Sequence, residues 1–318
     1  MNRHPAALSA LPSAPSAPRP APLLEVEHLA VSFTQYARGL RRRDVAAVVD
    51  MSLDVRAGEV VALVGASGAG KSLLGHAVLG LLPPNAVESG SVAWRGTEVD
   101  ATSRRRLAGR EVALLPQSLS HLDPTASVGA QVRRAARLAG TPRREARRVA
   151  AEALLTQGLD ASVLRLHPHQ LSGGMGRRVL TAMALIGDPA LVIADEPTPG
   201  LAPQSVQAVL QRLRGLADEG RGVLLITHEI TAALTVADRV VVVDRGRTLE
   251  EAPVSSFAGD GERLAHPYSR ALWQALPANG FQMPDDHTRT AAGMADMAGV
   301  AGLGGVGGVA GVTGAMGA

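Results

Sequence analysis

The chain has 318 residues, of which 46% are hydrophobic, and a formal net charge of only +3. This length predicts one large domain or two smaller ones, and the aliphatic composition suits a core of buried strands and helices. The sequence has no cysteine, which excludes disulfides, thiolate metal sites and cysteine nucleophiles, and its few aromatic residues argue against a surface that stacks nucleic-acid bases.

Both ends of the sequence have the composition of disordered segments. Residues 1–22 mix proline, alanine and serine without the apolar core of a signal peptide, and we expect a disordered leader there. Residues 283–318 predict a disordered glycine-rich tail, because glycine is a poor helix former and adds little hydrophobicity for crossing a membrane. No membrane-spanning helix is predicted, and membrane association would come through a partner.

The first third of the chain predicts a small antiparallel sheet followed by buried strands. Residues 24–33 and 45–55 alternate apolar and polar side chains, as antiparallel strands do. The remaining expectations are buried strands over 60–64 and 112–115, a helix over 71–82, a further strand over 91–94 and a loop at 104–106.

The middle of the chain predicts helices that carry many arginines, over residues 132–138 and 142–157. Such a run is most simply a solvated helix face, and the alternative is a docking face for a partner protein. After residue 170 the sequence predicts strands over 191–194, 223–226 and 240–243, with a helix at 206–213. Strands that alternate with helices imply a mainly parallel sheet, which binds ligands beyond the carboxyl ends of its strands.

The sequence from Gly65 to Ser72 has the pattern of a phosphate-binding P-loop, and Lys71 is the only lysine among the 32 basic residues. Backbone N–H groups of such a loop surround a phosphate chain, the lysine reaches the β- and γ-phosphates, and the Ser72 hydroxyl binds Mg²⁺. The candidate phosphate-binding residues are Gly65, Ala66, Ser67, Gly68, Ala69, Gly70, Lys71 and Ser72.

Two acidic residues, Asp195 and Glu196, end the apolar strand that begins at residue 191. Two carboxylates at the end of a buried strand are costly without a cation or partners, so we expect Asp195 to hold Mg²⁺ and Glu196 to orient the attacking water. His228 follows the next strand, which places it near a γ-phosphate, although a lone histidine is more often an ordinary core or loop residue. Gln117 follows an earlier strand, where it can contact Mg²⁺ or the water.

A second anion site is predicted at Ser172, Gly173 and Gly174, which directly precede a helix. Two anion sites on one chain make sense if two copies face each other and each completes the other's phosphate pocket.

These motifs, in this order, resemble the ATP-binding subunit of an ABC transporter: Walker A, a Q-loop glutamine, an LSGGM signature, Walker B with its glutamate, and an H-loop histidine. The resemblance covers residues 24 to about 247. It implies a P-loop α/β fold with a mainly parallel sheet, an antiparallel β subdomain and an inserted helical subdomain. It also implies MgATP hydrolysis by a dimer of ATPase subunits, identical or paralogous.

Residues 266–277 resemble the C-terminal extension of the oligopeptide, dipeptide and nickel importer branch, and Leu122-Asp-Pro124 agrees with that branch. The expected domains are an ATPase domain over 23–257, with its helical part and signature at 118–172, and an extension over 258–282. The branch implies two membrane permeases, a solute-binding protein and a position at the cytoplasmic face of the membrane. Peptides, nickel or a metal chelate are the expected cargo.

Family members stack an aromatic side chain on the adenine; Phe33 fits this role best and Tyr36 second, although Phe33 is as readily a core residue. The sequence departs from the family at two positions. Ala202 stands where the D-loop (residues 198–202) usually ends in aspartate, and Arg177-Arg178 replaces the usual Gln-Arg after the signature.

Two other functions remain open on the sequence alone. One is a soluble ABC ATPase that acts in translation or on DNA, and the other is a component of a phosphonate system. The importer-like extension and the lack of a coiled-coil insertion argue against the first. An exporter with fused membrane helices is not expected.

Overall fold

The computed structural model describes residues 21–36 and 42–279. These residues fall into two compact units that divide between Glu251 and Ala252. The predicted leader and tail lie outside the described residues, apart from residues 21 and 22, and the predicted boundary near residue 257 stays a prediction.

The first unit is built on one ten-stranded sheet with the order β5-β4-β1-β2-β10-β9-β3-β8-β7-β6. The strands are β1 (Leu24–Tyr36), β2 (Arg42–Val55), β3 (Val60–Gly65), β4 (Ala86–Trp94), β5 (Thr97–Glu98), β6 (Val112–Leu115), β7 (Leu191–Asp195), β8 (Gly222–Thr227), β9 (Arg239–Asp244) and β10 (Arg247–Pro253).

The sheet has an antiparallel part and a parallel part, as the sequence predicted. Strands β1, β2, β4 and β5 pair antiparallel, whereas β9, β3, β8, β7 and β6 are parallel neighbours in that order. The strands β3 and β8 are fully buried, which explains why their sequences are apolar runs rather than alternating patterns.

Eight α-helices lie within the described residues: α1 (Lys71–Val78), α2 (Ala101–Leu107), α3 (Val128–Leu138), α4 (Ala146–Thr156), α5 (Gly173–Leu185), α6 (Pro203–Asp218), α7 (Ile230–Ala233) and α8 (Pro267–Gln274). Helices α3, α4 and α5 surround their own apolar cluster, in which Val132, Leu154 and Val179 are buried. A separate core cluster joins the antiparallel strands to β3, β8 and α1. The inserted helical region therefore has a core of its own.

The prediction of a loop at residues 104–106 is wrong, because these residues belong to α2. Asp100 caps this helix by accepting a hydrogen bond from the Ser103 amide at 2.7 Å. Arg104 is buried and donates to the Ala77 carbonyl at 2.7 Å while it pairs with Glu88. Three successive arginines suggested an exposed loop, but tertiary partners bury one of them within a helix.

Other predicted elements exist with shifted ends. The helix predicted over 71–82 ends at Val78, and the strand predicted from residue 91 begins at Ala86. In the second unit, α8 falls within the predicted extension. There Trp273 Nε1 donates to the Gly259 carbonyl at 2.9 Å, and the Trp273 ring packs edge-on against Phe257.

Candidate active site

Four of the sequence motifs follow four adjacent parallel strands. The P-loop follows β3, His228 follows β8, Asp195 and Glu196 end β7 or follow it, and Gln117 follows β6. Because β3, β8, β7 and β6 are hydrogen-bonded neighbours of one polarity, their carboxyl ends lie along one edge of the sheet. This edge is the place where an open parallel sheet binds its ligand.

The P-loop wraps closely against its neighbours, and its glycines permit this. A Cβ at Gly65 would lie 2.1 Å from the Val243 carbonyl oxygen, which no side chain allows. Gly70 has φ of 90° and a Cβ there would lie 2.8 Å from the Ala47 carbonyl oxygen. Gly68 also has a positive φ, of 84°, but has open space beside it. The loop leads directly into α1, whose first residues are Lys71 and Ser72.

The Lys71 ammonium is buried, with only 6% of the residue exposed. Its Nζ donates to the carbonyl oxygens of Gly65 at 2.8 Å and Ala66 at 2.9 Å. Burial lowers the pKa of Lys71 from its usual value, and the charges of Glu196 and Asp195 partly oppose this. An anionic ligand bound beside the loop would therefore offset the free-energy cost of burying the Lys71 cation.

Ser72 and Asp195 form an oxygen pair that fits Mg²⁺. Ser72 Oγ donates to Asp195 Oδ1 at 3.0 Å. Burial raises the pKa of Asp195, the Ser72 hydrogen bond partly opposes this, and the nearby charge of Glu196 adds to it. No group of three or more histidine, aspartate or glutamate side chains suited to a metal is found among residues 21–36 and 42–279. A hydroxyl and one carboxylate suit Mg²⁺, which keeps waters and takes further oxygens from substrate phosphates.

Glu196 and His228 form a second pair at the same edge. Glu196 is 8% exposed and has φ of 46°, a left-handed conformation that is unusual for glutamate, and its amide donates to the Ile226 carbonyl at the end of β8. His228 Nδ1 lies 2.8 Å from Glu196 Oε1. Glu196 Oε2 is buried and has no hydrogen-bond partner among the described residues. One carboxylate oxygen is thus held by the histidine and the other is left for a ligand.

Gln117 and Phe33 occupy the predicted elements without forming part of these pairs. Gln117 is exposed in a bend after β6. Phe33 lies on β1 and packs against the main core cluster, while the side chain of Tyr36 lies outside the described residues. Their roles toward Mg²⁺, water and adenine stay predictions.

The signature residues are exposed at the start of α5. Ser172 caps the helix and accepts a hydrogen bond from the Met175 amide at 3.2 Å. Gly173 and Gly174 follow, and a Cβ built on either meets nothing within 4 Å. The fold of this chain therefore does not require glycine at these two positions, which leaves room for something outside the chain to approach.

One contact near the site has no signature in the sequence. Arg177 on α5 donates from Nη1 to the Pro197 carbonyl at 2.7 Å and from Nη2 to the Pro199 carbonyl at 2.6 Å. The motif comparison identified Arg177 only as a departure from the family pattern. Backbone acceptors leave no pattern in a sequence, so the contact was not predicted.

Within the described residues, none of the helices has both the length and the apolar character needed to cross a membrane.

The comparisons with known proteins agree with the geometry. Residues 48–199 match the family model described as ABC transporter. A Brucella abortus protein named as a peptide import ATP-binding protein is 35% identical over 81% of this chain and 79% of its own length. The glutathione import ATP-binding protein GsiA of Shigella dysenteriae is 34% identical over 84% of this chain and 44% of its own length.

Solved structures of ABC cassettes share the fold. The dimeric post-hydrolysis structure of the cassette MJ0796, bound to ADP and Pi, is 25% identical with a TM-score of 0.61, covering 73% of this chain and 98% of that one. An ATP-binding subunit of an ABC transporter is 28% identical with a TM-score of 0.60, covering 78% and 97%. The fold class predicted from the motifs is confirmed. The chain belongs to the family of ABC transporter ATP-binding subunits, in the branch that includes peptide importers, and it is an ABC-type ATPase.

Proposed function

We propose that the chain energises an ABC importer by hydrolysing MgATP at the edge formed by β3, β8, β7 and β6. The observation that carries this proposal is the convergence of Lys71, Ser72, Asp195, Glu196 and His228 on that edge. Relatives named for peptide and glutathione import support the direction of transport.

The P-loop binds the phosphate chain of ATP. Backbone N–H groups of residues 65–72 and the N-terminus of α1 face the phosphates, and Lys71 exchanges its carbonyl contacts for the β- and γ-phosphates. Ser72 and Asp195 would hold Mg²⁺, with Gln117 as a further oxygen ligand. The metal, when bound, neutralises charge on the β- and γ-phosphates.

Glu196 and His228 prepare the attacking water. Glu196 Oε2 is the buried and unpartnered oxygen, so it accepts a hydrogen bond from the water and orients it toward the γ-phosphate. His228 holds the other carboxylate oxygen at 2.8 Å and fixes the rotamer of Glu196. Since the His228 side chain is about half exposed, it also remains available to the γ-phosphate.

A second subunit completes each nucleotide site. The exposed Ser172, Gly173 and Gly174 supply a hydroxyl and backbone donors at the start of α5, with open space above both glycines. A partner's γ-phosphate approaches these groups, and the signature of the partner serves the P-loop of this chain in return. The partner is a second copy or a paralogous ATPase subunit, which the mixing experiment in the Discussion distinguishes.

The cargo is a peptide, nickel or a metal chelate, and the chain works at the cytoplasmic face of the membrane beneath two permease subunits that receive solute from a binding protein. The arginine-rich face of α3 and α4 supports docking, because its exposed arginines are free of covering apolar side chains and are accessible to a partner protein. Those arginines include Arg134 and Arg137 on α3 and Arg147 and Arg148 on α4, with Arg143 in the turn before α4.

Uptake in a strain that lacks the chain tests this function. Restoring the wild-type chain should restore accumulation of labelled di- and oligopeptides or of ⁶³Ni²⁺, and Lys71→Ala should restore neither. The matched control is Glu98→Ala, which removes one exposed charge on β5, outside the arginine-rich face and outside every phosphate motif. Uptake restored equally by Lys71→Ala would contradict the proposal, and restoration of one cargo alone would identify the branch.

A further inference from the structure

Two hydrogen bonds from Arg177 join the D-loop (residues 198–202) to α5, the helix that follows the signature serine. Arg177 lies one turn into α5, after the exposed signature glycines. Its two terminal nitrogens donate to the carbonyls of Pro197 and Pro199, at 2.7 and 2.6 Å. These carbonyls flank Thr198, the first residue of the D-loop. One side chain therefore joins the helix that starts at the signature to the loop that follows Glu196.

A planar guanidinium suits this contact. Arginine presents several N–H donors in a rigid fork, and two different nitrogens of Arg177 reach acceptors two residues apart. A glutamine amide or a lysine ammonium has a single terminal nitrogen, which would have to reach both carbonyls alone. The short distances match charge-assisted hydrogen bonds, which are stronger than neutral ones. The family commonly has another residue at position 177, and in this chain Arg177 forms two hydrogen bonds to the D-loop that the structure shows directly.

The contact has a cavity on one side and buried loop residues on the other. A cavity of about 400 Å³ lies between α5 and α6, and Arg177, Leu201, Val209 and Arg212 are among its lining residues. On the other side of the loop, Thr198 is buried and its hydroxyl lies 3.5 Å from Glu229, next to His228. The D-loop thus connects α5 to the loop that carries His228. At its far end Ala202 gives α6 no side-chain cap.

We propose that Arg177 is a positioning residue. Its two hydrogen bonds to the Pro197 and Pro199 carbonyls, here called the clasp, hold the D-loop to α5 and so transmit movement of α5 to the Glu196–His228 pair. The proposal rests on the proposed function, in which α5 meets a nucleotide held by the partner. Arg177 touches neither nucleotide nor water, and it acts through the loop.

Hydrogen exchange of the nucleotide-free chain tests the clasp. In Arg177→Gln the Leu201 amide, which donates to the Thr198 carbonyl at 3.2 Å, should exchange about tenfold faster, because the loop loses a charge-assisted hydrogen bond. Arg212→Gln is the matched control, because Arg212 lines the same cavity but its guanidinium pairs with Glu219. Unchanged exchange in Arg177→Gln, or an equal increase in Arg212→Gln, would overturn the clasp.

Turnover tests the coupling. Arg177→Gln should lower kcat about tenfold with KM for MgATP within about twofold, since the P-loop is untouched. Arg177→Lys should recover part of kcat because the ammonium keeps the positive charge but offers one nitrogen to the two carbonyls, and Arg212→Gln should match wild type. Wild-type kcat in Arg177→Gln would overturn the coupling, and so would a change confined to KM. If the wild-type chain itself hydrolysed no ATP, the proposed function would fall, whereas the exchange comparison would still decide the clasp.

Discussion

Glu196 combines three features that rarely occur together in one residue: burial, a positive φ and an unpartnered carboxylate oxygen. Each costs free energy in the chain alone, and such costs concentrate at functional sites. The hydrogen bond from His228 satisfies one oxygen only. This arrangement supports a carboxylate whose remaining partner is a reacting water.

Substituting Glu196 by glutamine should separate binding from turnover. The amide keeps the size of the side chain but cannot accept the proton, so ATP turnover should fall by about 10² to 10⁴-fold. MgATP should still raise the unfolding temperature and trap a dimer visible by size-exclusion chromatography. Lys71→Ala is the comparison variant and should lose both effects. Hydrolysis by Glu196→Gln at the wild-type rate would remove Glu196 from the catalytic role.

Asp195 predicts a conflict between stability and metal binding. Its raised pKa means that the folded chain holds the carboxyl proton more tightly than the unfolded chain does. Ionisation of Asp195 therefore lowers the free energy of unfolding as pH rises through the unfolded pKa and then the folded pKa. Without nucleotide, Asp195→Asn should unfold at a higher temperature than wild type at pH 7 and show a smaller difference at low pH.

The same variant should lose the stabilisation that MgATP gives to wild type, while the effect of ATP in EDTA changes little. Differential scanning fluorimetry at several pH values measures both results. A lower unfolding temperature for nucleotide-free Asp195→Asn would show that the Ser72 hydrogen bond outweighs burial.

At the scale of elements, α6 begins without the cap that its position favours. Ala202 has N-cap dihedrals of −65° and 150°, and Pro203 follows at the first helical position, but alanine offers no acceptor to the first amides. Aspartate would supply one and would complement the helix dipole. Ala202→Asp should therefore stabilise the chain by about 1 kcal/mol and raise the unfolding temperature by roughly 2–4 °C.

Thermal and urea unfolding of Ala202→Asp measure this gain. Ala202→Asn separates the cap from the charge, because its amide oxygen caps the helix without a negative charge. An unchanged or lowered stability in both variants would contradict the assignment of residue 202 as an uncapped N-cap.

The elements that the sequence predicted best are those in which burial acts on every residue. The runs in β3, β7, β8 and β9 are apolar because both faces of the parallel sheet are covered, and the motif residues follow from the positions where these runs end. Prediction failed where partners are distant in sequence. Arg104 in α2 and Arg177 in α5 both bond to backbone carbonyls, and no local pattern reveals a carbonyl that tertiary structure brings near.

For the whole molecule, the two predicted anion sites differ in whether the fold of the chain itself requires their glycines. Two P-loop glycines, Gly65 and Gly70, are required by the chain itself, since a Cβ at either would collide with a backbone oxygen. The signature glycines have open space and are exposed. Sequence motifs place both sites in order along the chain, but only the structure distinguishes a glycine needed for folding from one that leaves room for another molecule.

In the proposed function each nucleotide site is shared between two ATPase subunits, and mixing two inactive variants of this chain tests this most directly. Lys71→Ala inactivates the P-loop and leaves the signature intact. Ser172→Arg blocks the signature and leaves the P-loop intact. Each variant alone should hydrolyse no ATP. Mixing them should restore turnover, because a mixed dimer contains one intact site with Lys71 from one copy and Ser172 from the other. Full turnover by Ser172→Arg alone, or none in the mixture while wild type is active, would contradict the shared site.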